Sequence, residues 1–487
     1  MSSPLSIIIF GASGDLTARK LIPALYHLDK VGLLEEEANV IGVARRPMTD
    51  DAYRDSVEPW TKTAMQHMKE NWYPNTWKRF AKRLFYVQGD ASTPEGLKPL
   101  NEFLAKREGA TGGRRLYYLS VSPELYPSIA ASFKASGYQN ETGGFRRVIV
   151  EKPFGHDQAS GRAVNKCMHG TFREDQIYRI DHYLGKETVQ NILIFRFANT
   201  MFEPLWNSQY IDHVQITAAE TVSVDQRLEF YNKSGVLRDM FQSHLLQVMT
   251  MVAMDNPGRY TADRLRNEKI KVLEAVKLHS VADAHSSMAV GQYEGYSKLK
   301  GIEGSKTPTY AAARFEINNH RWQNVPFYIR SGKSLKARYS EVSIQFRCPA
   351  HMLIPIPDGE HVECNRLSII LQPNEGIRLN FQTKVPEVDG TKLQARDLSF
   401  NYREGFSDRA VPEAYERLLL DAIMGEAALF MRSDEIEQAW AIMDPLIKAT
   451  EAPDAPQPEA YPIGSEGPKC SDALLARDGR KWAKLVG

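Results

Sequence analysis

From the first residues to about residue 150, short apolar runs alternate with stretches of helical period, and no other feature of the sequence restricts the fold as much. The runs are IIIF at 7–10, VIGVA at 40–44, RLFYVQG at 83–89, LYYLSV at 116–121 and RRVIVEK at 146–152, with a helix carrying Leu21, Leu25 and Leu28 after the first. Strand, helix and strand in this order imply right-handed crossovers and a parallel sheet covered on both faces.

Beyond about residue 208 the pattern changes. DHVQITAAE, ARFEIN, PFYIRS, SEVSIQFR, RLSIILQ and IRLNFQTK often alternate polar and apolar, as Val342, Ile344 and Phe346 show, and read as half-buried, mostly antiparallel strands. A helical hairpin is expected from Glu413, with Tyr415, Leu418, Leu419, Ile423 and Leu429 on its apolar face. The prolines between Pro445 and Pro468 predict an extended arm at the end. The expected architecture is therefore α/β plus α+β: a Rossmann-like dinucleotide-binding domain over 1–180, then a larger domain over 181–487 with a mostly antiparallel sheet, helices and a proline-rich C-terminal arm.

Lys plus Arg number 61 and Asp plus Glu 60, so the chain lacks the general basic field with which nucleic-acid binders attract phosphate backbones. The stretch Leu245–Met254 is far short of the roughly 20 apolar residues that span a bilayer. Cys167, Cys348, Cys364 and Cys470 show no zinc-ligand or CxxC spacing and read as ordinary thiols of a reducing compartment. These features predict a cytoplasmic protein without a metal centre, a membrane span or a nucleic-acid partner.

Gly11, Ala12, Ser13, Gly14, Asp15 and Leu16 follow the first strand and open the first helix, where backbone N–H groups and the helix dipole receive a pyrophosphate. Thr17 stands where a glycine-rich variant of this turn would place its last glycine. At the end of the second strand, where selectivity for NAD usually calls for an acid, the chain has Arg45 and Arg46, and a guanidinium suits a 2′-phosphate. Lys152 ends the last run before Pro153, which restricts it to extended geometry at a strand tip.

The densest chemistry lies in Arg179-Ile-Asp-His-Tyr-Leu-Gly-Lys-Glu187. Were the segment helical, His182 and Lys186 would share a face and grip one anion together, with Asp181 pointing elsewhere. Between Gly235 and Met254, Leu237, Phe241, His244, Val248 and Val252 form one apolar stripe of a predicted helix. A lone histidine on such a face is more often a core residue than a catalyst. Its company, Arg238 and Asp239 before it and the Asp181 segment elsewhere, favours a general base. Arg330, Lys333, Lys336 and Arg338 form a basic run that reads as either a solvated loop or one wall of an anionic-substrate pocket.

Together GASGDL, EKPFG, RIDHYLGKE, RDMFQSHLLQ, VPFYIRSGK, LQPNEG, AYERLLLDAIMG and GPKCSDALLARDGRKW closely resemble the glucose-6-phosphate dehydrogenase family over nearly the whole chain. The resemblance implies oxidation of D-glucose 6-phosphate at C1 to 6-phospho-D-glucono-1,5-lactone, the first step of the oxidative pentose phosphate pathway. NADP is the implied acceptor, with NAD as a secondary one. It implies His244 as the base and Asp181 as its orienting carboxylate. It places His182, Tyr183 and Lys186 at the substrate phosphate, and Glu220, Asp239, Lys333, Arg338 and Gln372 around the sugar. Lys152 would bridge sugar and cofactor, and Gly11 to Leu16, Arg45, Asp90, Ala91 and Tyr126 would hold NADP. A homodimer or homotetramer is implied as well. Two rivals are a dehydrogenase of uncharged sugars, which would not need His182, Lys186 and Arg338 together, and a non-catalytic NADP sensor, which would not need a base.

Overall fold

The computed structural model describes residues 3–109, 112–224, 227–351, 362–387, 392–406 and 412–485. The chain forms two compact units: Met1–Lys186 with Arg259–Arg266 and Ala410–Glu437, and Glu187–Gly258 with Asn267–Arg409 and Gln438–Gly487. This division differs from a boundary at residue 180 with all later residues in one domain, because the first helix of the expected hairpin, Ala414–Met424, packs within the first unit. There a Glu416 carboxylate oxygen lies 2.9 Å from His27 Nδ1, and Lys20 Nζ lies 2.8 Å from Glu413.

In the first unit, β1 (Leu5–Phe10), β2 (Asn39–Ala44), β3 (Leu84–Gln88), β4 (Arg114–Leu119), β5 (Arg146–Val150) and β6 (Ile177–Arg179) form one sheet in the order β3-β2-β1-β4-β5-β6. Every pairing is parallel. β1 is buried along its whole length, as expected of a strand with helices on both faces. The sequence reading anticipates the first five strands. It misses β6, whose three residues are too few to register as an apolar run.

The second unit is built on a nine-stranded sheet. Its strands are β7 (Ile211–Ala219), β8 (Met288–Tyr293), β9 (Tyr310–Glu316), β10 (Pro326–Gly332), β11 (Tyr339–Phe346), β12 (Arg366–Gln372), β13 (Gly376–Lys384), β14 (Leu393–Asn401) and β15 (Glu459–Tyr461). Their order is β14-β13-β12-β11-β7-β10-β9-β8-β15, antiparallel except that β10 runs parallel to β7 and β15 parallel to β8.

Three expectations are corrected. β11 is not half-buried, since Glu341 and Ser343 are covered as well as Val342 and Ile344. Its place in the middle of the sheet puts it between β7 and β12, and the polar face of the neighbouring strands is roofed by the C-terminal segment. There Arg330 Nη2 donates to the Ala483 carbonyl at 2.7 Å, Ala483 N–H donates to Gln215 Oε1 at 2.8 Å, and the Arg330 guanidinium lies 4.4 Å from the centre of the Trp482 ring. The arm is therefore more than an extended tail, for it contributes β15 and the helix Lys469–Ala476, and Pro445 lies inside the helix Ser433–Glu451. Lastly, Cys348 and Cys364 are not free thiols but a disulfide, with Cα atoms 5.0 Å apart. Each lies two residues beyond an end of the antiparallel β11–β12 pair, so strand pairing brings together cysteines whose sequence spacing shows nothing. Cys167 and Cys470 are free. Among the described residues no helix is long and apolar enough to cross a membrane.

Arg480 fastens the tail by gripping Asp212 with two bonds of 2.9 Å. Those bonds, with His213, hold the Asp212 carboxyl well below the ordinary aspartate range. Arg480→Ala should lower stability on the order of 1–2 kcal/mol in urea unfolding near neutral pH. A depressed native pKa stabilises above the unfolded value of about 3.9, and that stabilisation is lost as pH falls through the native value. The difference between wild type and variant should therefore shrink in acid.

Candidate active site

In the parallel sheet all six strands point the same way, so their C-terminal ends share one edge. Along it lie Asp90 and Ala91 after β3, Arg45 after β2, the Gly11 turn after β1, Ser120 after β4, Lys152 after β5 and Asp181 after β6. At about 4.8 Å per strand, β2 and β5 are roughly 14 Å apart, a span suited to an extended dinucleotide crossing the point where strand order reverses between β1 and β4.

Gly11 is dictated by geometry. Its φ is +85°, and a Cβ there would lie 2.0 Å from the Ser120 carbonyl oxygen. The N–H groups of Gly11 and Ala12 both donate to the Val43 carbonyl, at 2.9 and 3.2 Å, and Gly14 N–H donates to the Gly11 carbonyl at 2.9 Å. These three amides tie the turn to β2 and to itself. Thr17, in place of a further glycine, is buried and turns its hydroxyl back to the Gly11 carbonyl at 3.3 Å. It opens one turn of π-helix, Thr17–Leu21, ahead of the helix Ile22–Lys30. Asp15 pairs with Arg19 at 2.5 Å.

Arg45 and Arg46 are exposed beyond β2. Ser92 donates to Asp90 from its N–H at 2.9 Å and its hydroxyl at 2.6 Å, and these bonds hold the Asp90 carboxyl below its ordinary range, with Arg45 adding to the effect. Tyr126 is buried and donates to the Glu151 carbonyl at 2.9 Å, joining the helix Tyr126–Ala135 to the tip of β5. A tight backbone turn that excludes a Cβ, a helix start and exposed guanidinium groups along one parallel edge are the features a dinucleotide with a 2′-phosphate would need.

The segment after β6 is not helical, which corrects the expectation that His182 and Lys186 share a helix face. Leu184 N–H donates to Asp181 O at 3.0 Å and Lys186 N–H to Tyr183 O at 3.1 Å, giving successive turns before the helix Glu187–Phe197 begins. Gly185 explains the tightness, since a Cβ there would meet Ala414 O at 2.7 Å. Asp181 is buried and its Oδ1 accepts from Tyr183 N–H at 2.9 Å. Lys186 Nζ lies over the Tyr183 ring at 4.0 Å, and the His182 and Tyr183 rings are 5.1 Å apart.

The second unit has its own polar edge. β7 and β10 run parallel with Ala219 opposite Gly332, so Glu220 and Lys333 emerge side by side and form an ion pair. β11 is antiparallel to β7 with Tyr339 opposite Ala219, which puts the exposed Arg338 at the same edge. Gln372 ends β12 and donates to Ser340 Oγ at 3.0 Å. In order along the edge stand Gln372, Arg338, Glu220 and Lys333.

Asp239 and His244 lie on a nine-residue π-helix, Leu237–Leu245, where the sequence predicts an α-helix. The α-helix Leu246–Ala253 continues it. Bonds from i to i+5, such as Leu246 N–H to Phe241 O, stack residues five apart, so Asp239 and His244 fall on one side rather than on the diverging sides an α-helix would give them. The single apolar stripe is also corrected: His244 is buried, but so are Gln242, Ser243 and Gln247, and the helix is covered nearly all round.

Tyr231, which no sequence motif singles out, lies at the same edge. The Lys333 ammonium lies 5.2 Å from its ring centre. Burial pushes its phenol well above the ordinary range, and the nearby carboxylates of Asp239 and Glu220 push the same way. A tyrosine in an ordinary amphipathic stretch carries no motif that would single it out.

The chain matches the family models for the glucose-6-phosphate dehydrogenase NAD binding domain over residues 8–191 and the glucose-6-phosphate dehydrogenase C-terminal domain over 193–483. It is 41% identical to the glucose-6-phosphate 1-dehydrogenase of Mycolicibacterium smegmatis, over 98% of this chain and 97% of that one. It is 40% identical to the enzyme of Rhizobium meliloti, over 99% and 98%. A solved glucose-6-phosphate dehydrogenase in complex with its substrate glucose-6-phosphate superposes with a TM-score of 0.90 at 34% identity, covering 99% of both chains. The glucose-6-phosphate 1-dehydrogenase of Mycobacterium avium gives 0.83 at 32% identity, again over 99% of both.

Gly11→Ala should cost on the order of 2–4 kcal/mol, because it combines a left-handed backbone with a clash against backbone oxygen that no rotamer relieves. Denaturant unfolding of the variant measures this, and near-wild-type stability would mean that β1 and β4 can separate at the turn.

Proposed function

The chain belongs to the glucose-6-phosphate dehydrogenase family, and on that premise we propose how its own residues divide the oxidation of D-glucose 6-phosphate to 6-phospho-D-glucono-1,5-lactone. The observation that carries the reading is the polar edge of the second sheet, where Gln372, Arg338, Glu220 and Lys333 stand in one row with Glu220 and Lys333 paired. Such a row of alternating donors and acceptors suits a polyhydroxylated ring.

His244 removes the proton from the C1 hydroxyl, and Asp181 orients its imidazole and stabilises the imidazolium that forms, as a carboxylate does for a base in other dyads. His182, Tyr183 and Lys186 hold the phosphate, the turn geometry presenting them in place of a helix face. Glu220, Asp239, Lys333, Arg338 and Gln372 position the sugar hydroxyls. Lys152 holds sugar and cofactor in register at the tip of β5. The Gly11 to Leu16 turn, Arg45, Asp90, Ala91 and Tyr126 seat NADP, with NAD as a poorer alternative. When bound, the nicotinamide accepts the hydride leaving C1, and the residues named supply alignment and proton removal. We place the protein in the cytoplasm as a homodimer or homotetramer. Leu398 and Phe400, exposed on β14, are apolar side chains that an intersubunit contact would cover.

Reduced-nicotinamide absorbance with glucose 6-phosphate or free glucose, each with NADP or NAD, tests the reading directly. Strong turnover with glucose 6-phosphate and NADP supports it. Equal turnover of free glucose would point to a dehydrogenase of uncharged sugars, and binding of NADP without turnover would point to a sensor.

His244→Asn should lower kcat by about 10²- to 10⁴-fold with little change in KM for the sugar phosphate. A near-normal kcat would return His244 to the core. Replacing Arg45 and Arg46 together by alanine should weaken NADP binding by at least about tenfold and leave NAD nearly unchanged, since only NADP offers a 2′-phosphate for charge-assisted bonds. Parallel titrations with the two cofactors decide this, and equal losses would refute the assignment.

A further inference from the structure

Glu151 stands between β5 and Lys152, and three tyrosines from three separate elements of the first unit converge on it. Tyr118 of β4 donates to its Oε1 at 2.5 Å. Tyr415, on the helix Ala414–Met424, donates to the same oxygen at 3.3 Å. Tyr126, which begins the helix Tyr126–Ala135, donates to its main-chain carbonyl at 2.9 Å. One carboxyl oxygen has the lone pairs to take both phenolic hydroxyls, and the carbonyl is fixed independently of the side chain. Tyr118 and Tyr126 are themselves fully buried, so the anchors do not move with solvent.

We propose that Glu151 is a positioning residue: held by Tyr118, Tyr126 and Tyr415, it sets where the Lys152 ammonium stands for the reaction. No bond of Glu151 to substrate or cofactor is required. A lysine side chain has four rotatable carbons, and its reach is useful only if its own Cα is fixed. Three hydroxyl bonds on the preceding residue fix it from behind. The helix Ala414–Met424, far along the chain but within the first unit, supplies Tyr415 to this cluster.

The inference rests on the role given to Lys152, and a double-mutant cycle separates the two. Lys152→Met, Glu151→Ala, Glu151→Gln and both Glu151 changes on Lys152→Met are assayed with glucose 6-phosphate and NADP, and Tyr415→Phe serves as a milder variant should Glu151→Ala fail to fold. Glu151→Ala should lower kcat at least about tenfold while KM for both substrates moves less than about threefold. Glu151→Gln, which keeps an oxygen for both tyrosines, should restore kcat to within about threefold of wild type, and Tyr415→Phe should lower it by a few-fold. On the Lys152→Met background Glu151→Ala should add less than threefold, because a residue acting through Lys152 has nothing left to position. Full activity of Lys152→Met would overturn the assigned role of Lys152. An impaired Lys152→Met on which Glu151→Ala still costs tenfold would overturn the present inference alone. A Glu151→Gln variant as impaired as Glu151→Ala would also overturn it, by showing that charge rather than hydrogen bonding matters.

Discussion

Strand polarity is the constraint on which both halves of this molecule depend. Parallel hydrogen bonding forces every strand of the first sheet to end at the same edge, so residues separated by most of the first 181 positions come to stand in a row at strand spacing. The second sheet is mostly antiparallel, and its strand ends would ordinarily alternate between two edges. One parallel pair, β7 with β10, breaks the alternation and brings Glu220 to Lys333. The antiparallel neighbours on one side then contribute a strand beginning and a strand end, Arg338 and Gln372, to the same edge. In each unit the chemistry collects where backbone direction puts it.

Two π-helical stretches among the described residues are the second device. A single turn of i to i+5 bonding packs worse than α-helix and is uncommon outside functional regions. Here one such stretch follows the Gly11 turn directly and the other carries Asp239 and His244. In the second, the wider turn converts a five-residue spacing, which an α-helix would splay, into a shared side. Gln242, Ser243 and Gln247 are buried around His244 as well, so this helix carries polar side chains where an ordinary core helix would be apolar.

The first sheet is legible in the sequence because strands buried on both faces are runs of consecutive apolar residues, and the turn after β1 carries its glycine because a Cβ there would meet the Ser120 carbonyl. β6 is not legible because its three residues give no periodicity, and only the chemistry of the segment after it singles out Asp181. The helix face assigned to His182 and Lys186 failed for a local reason: a spacing of four implies a shared face only in a helix, and Gly185 allows the tight turns that the close approach of Ala414 requires. Alternation in β11 signals a strand correctly but misjudges its exposure, since β11 lies inside the sheet beside β7, and the polar side chains of β7 and β10 are covered by residues 481–483, which no local pattern connects to them. The Cys348–Cys364 bond was invisible for the same reason: strand pairing, not spacing, decides which cysteines meet.

Charge pairing bears on how the proposed substrate is gripped. The chain carries a formal net charge of only +1, so attraction of a phosphate dianion must come from local cations. Lys333 is an unsuitable choice for that task, because its ammonium is compensated by Glu220 at the strand ends and lies against the Tyr231 ring. A neutral pair of this kind presents one donor and one acceptor at fixed separation, which matches neighbouring hydroxyls better than it matches a dianion. Lys186 sits over the face of Tyr183, a contact that helps to place the ammonium. On the proposed reading the β7–β10 edge therefore offers the sugar ring a compensated pair, and the phosphate falls to His182, Tyr183 and Lys186 in the turn after β6. Holding the phosphate by charge, remote from C1, allows the hydroxyl contacts to be directional and few, and binding energy gained at one end is spent on alignment at the other.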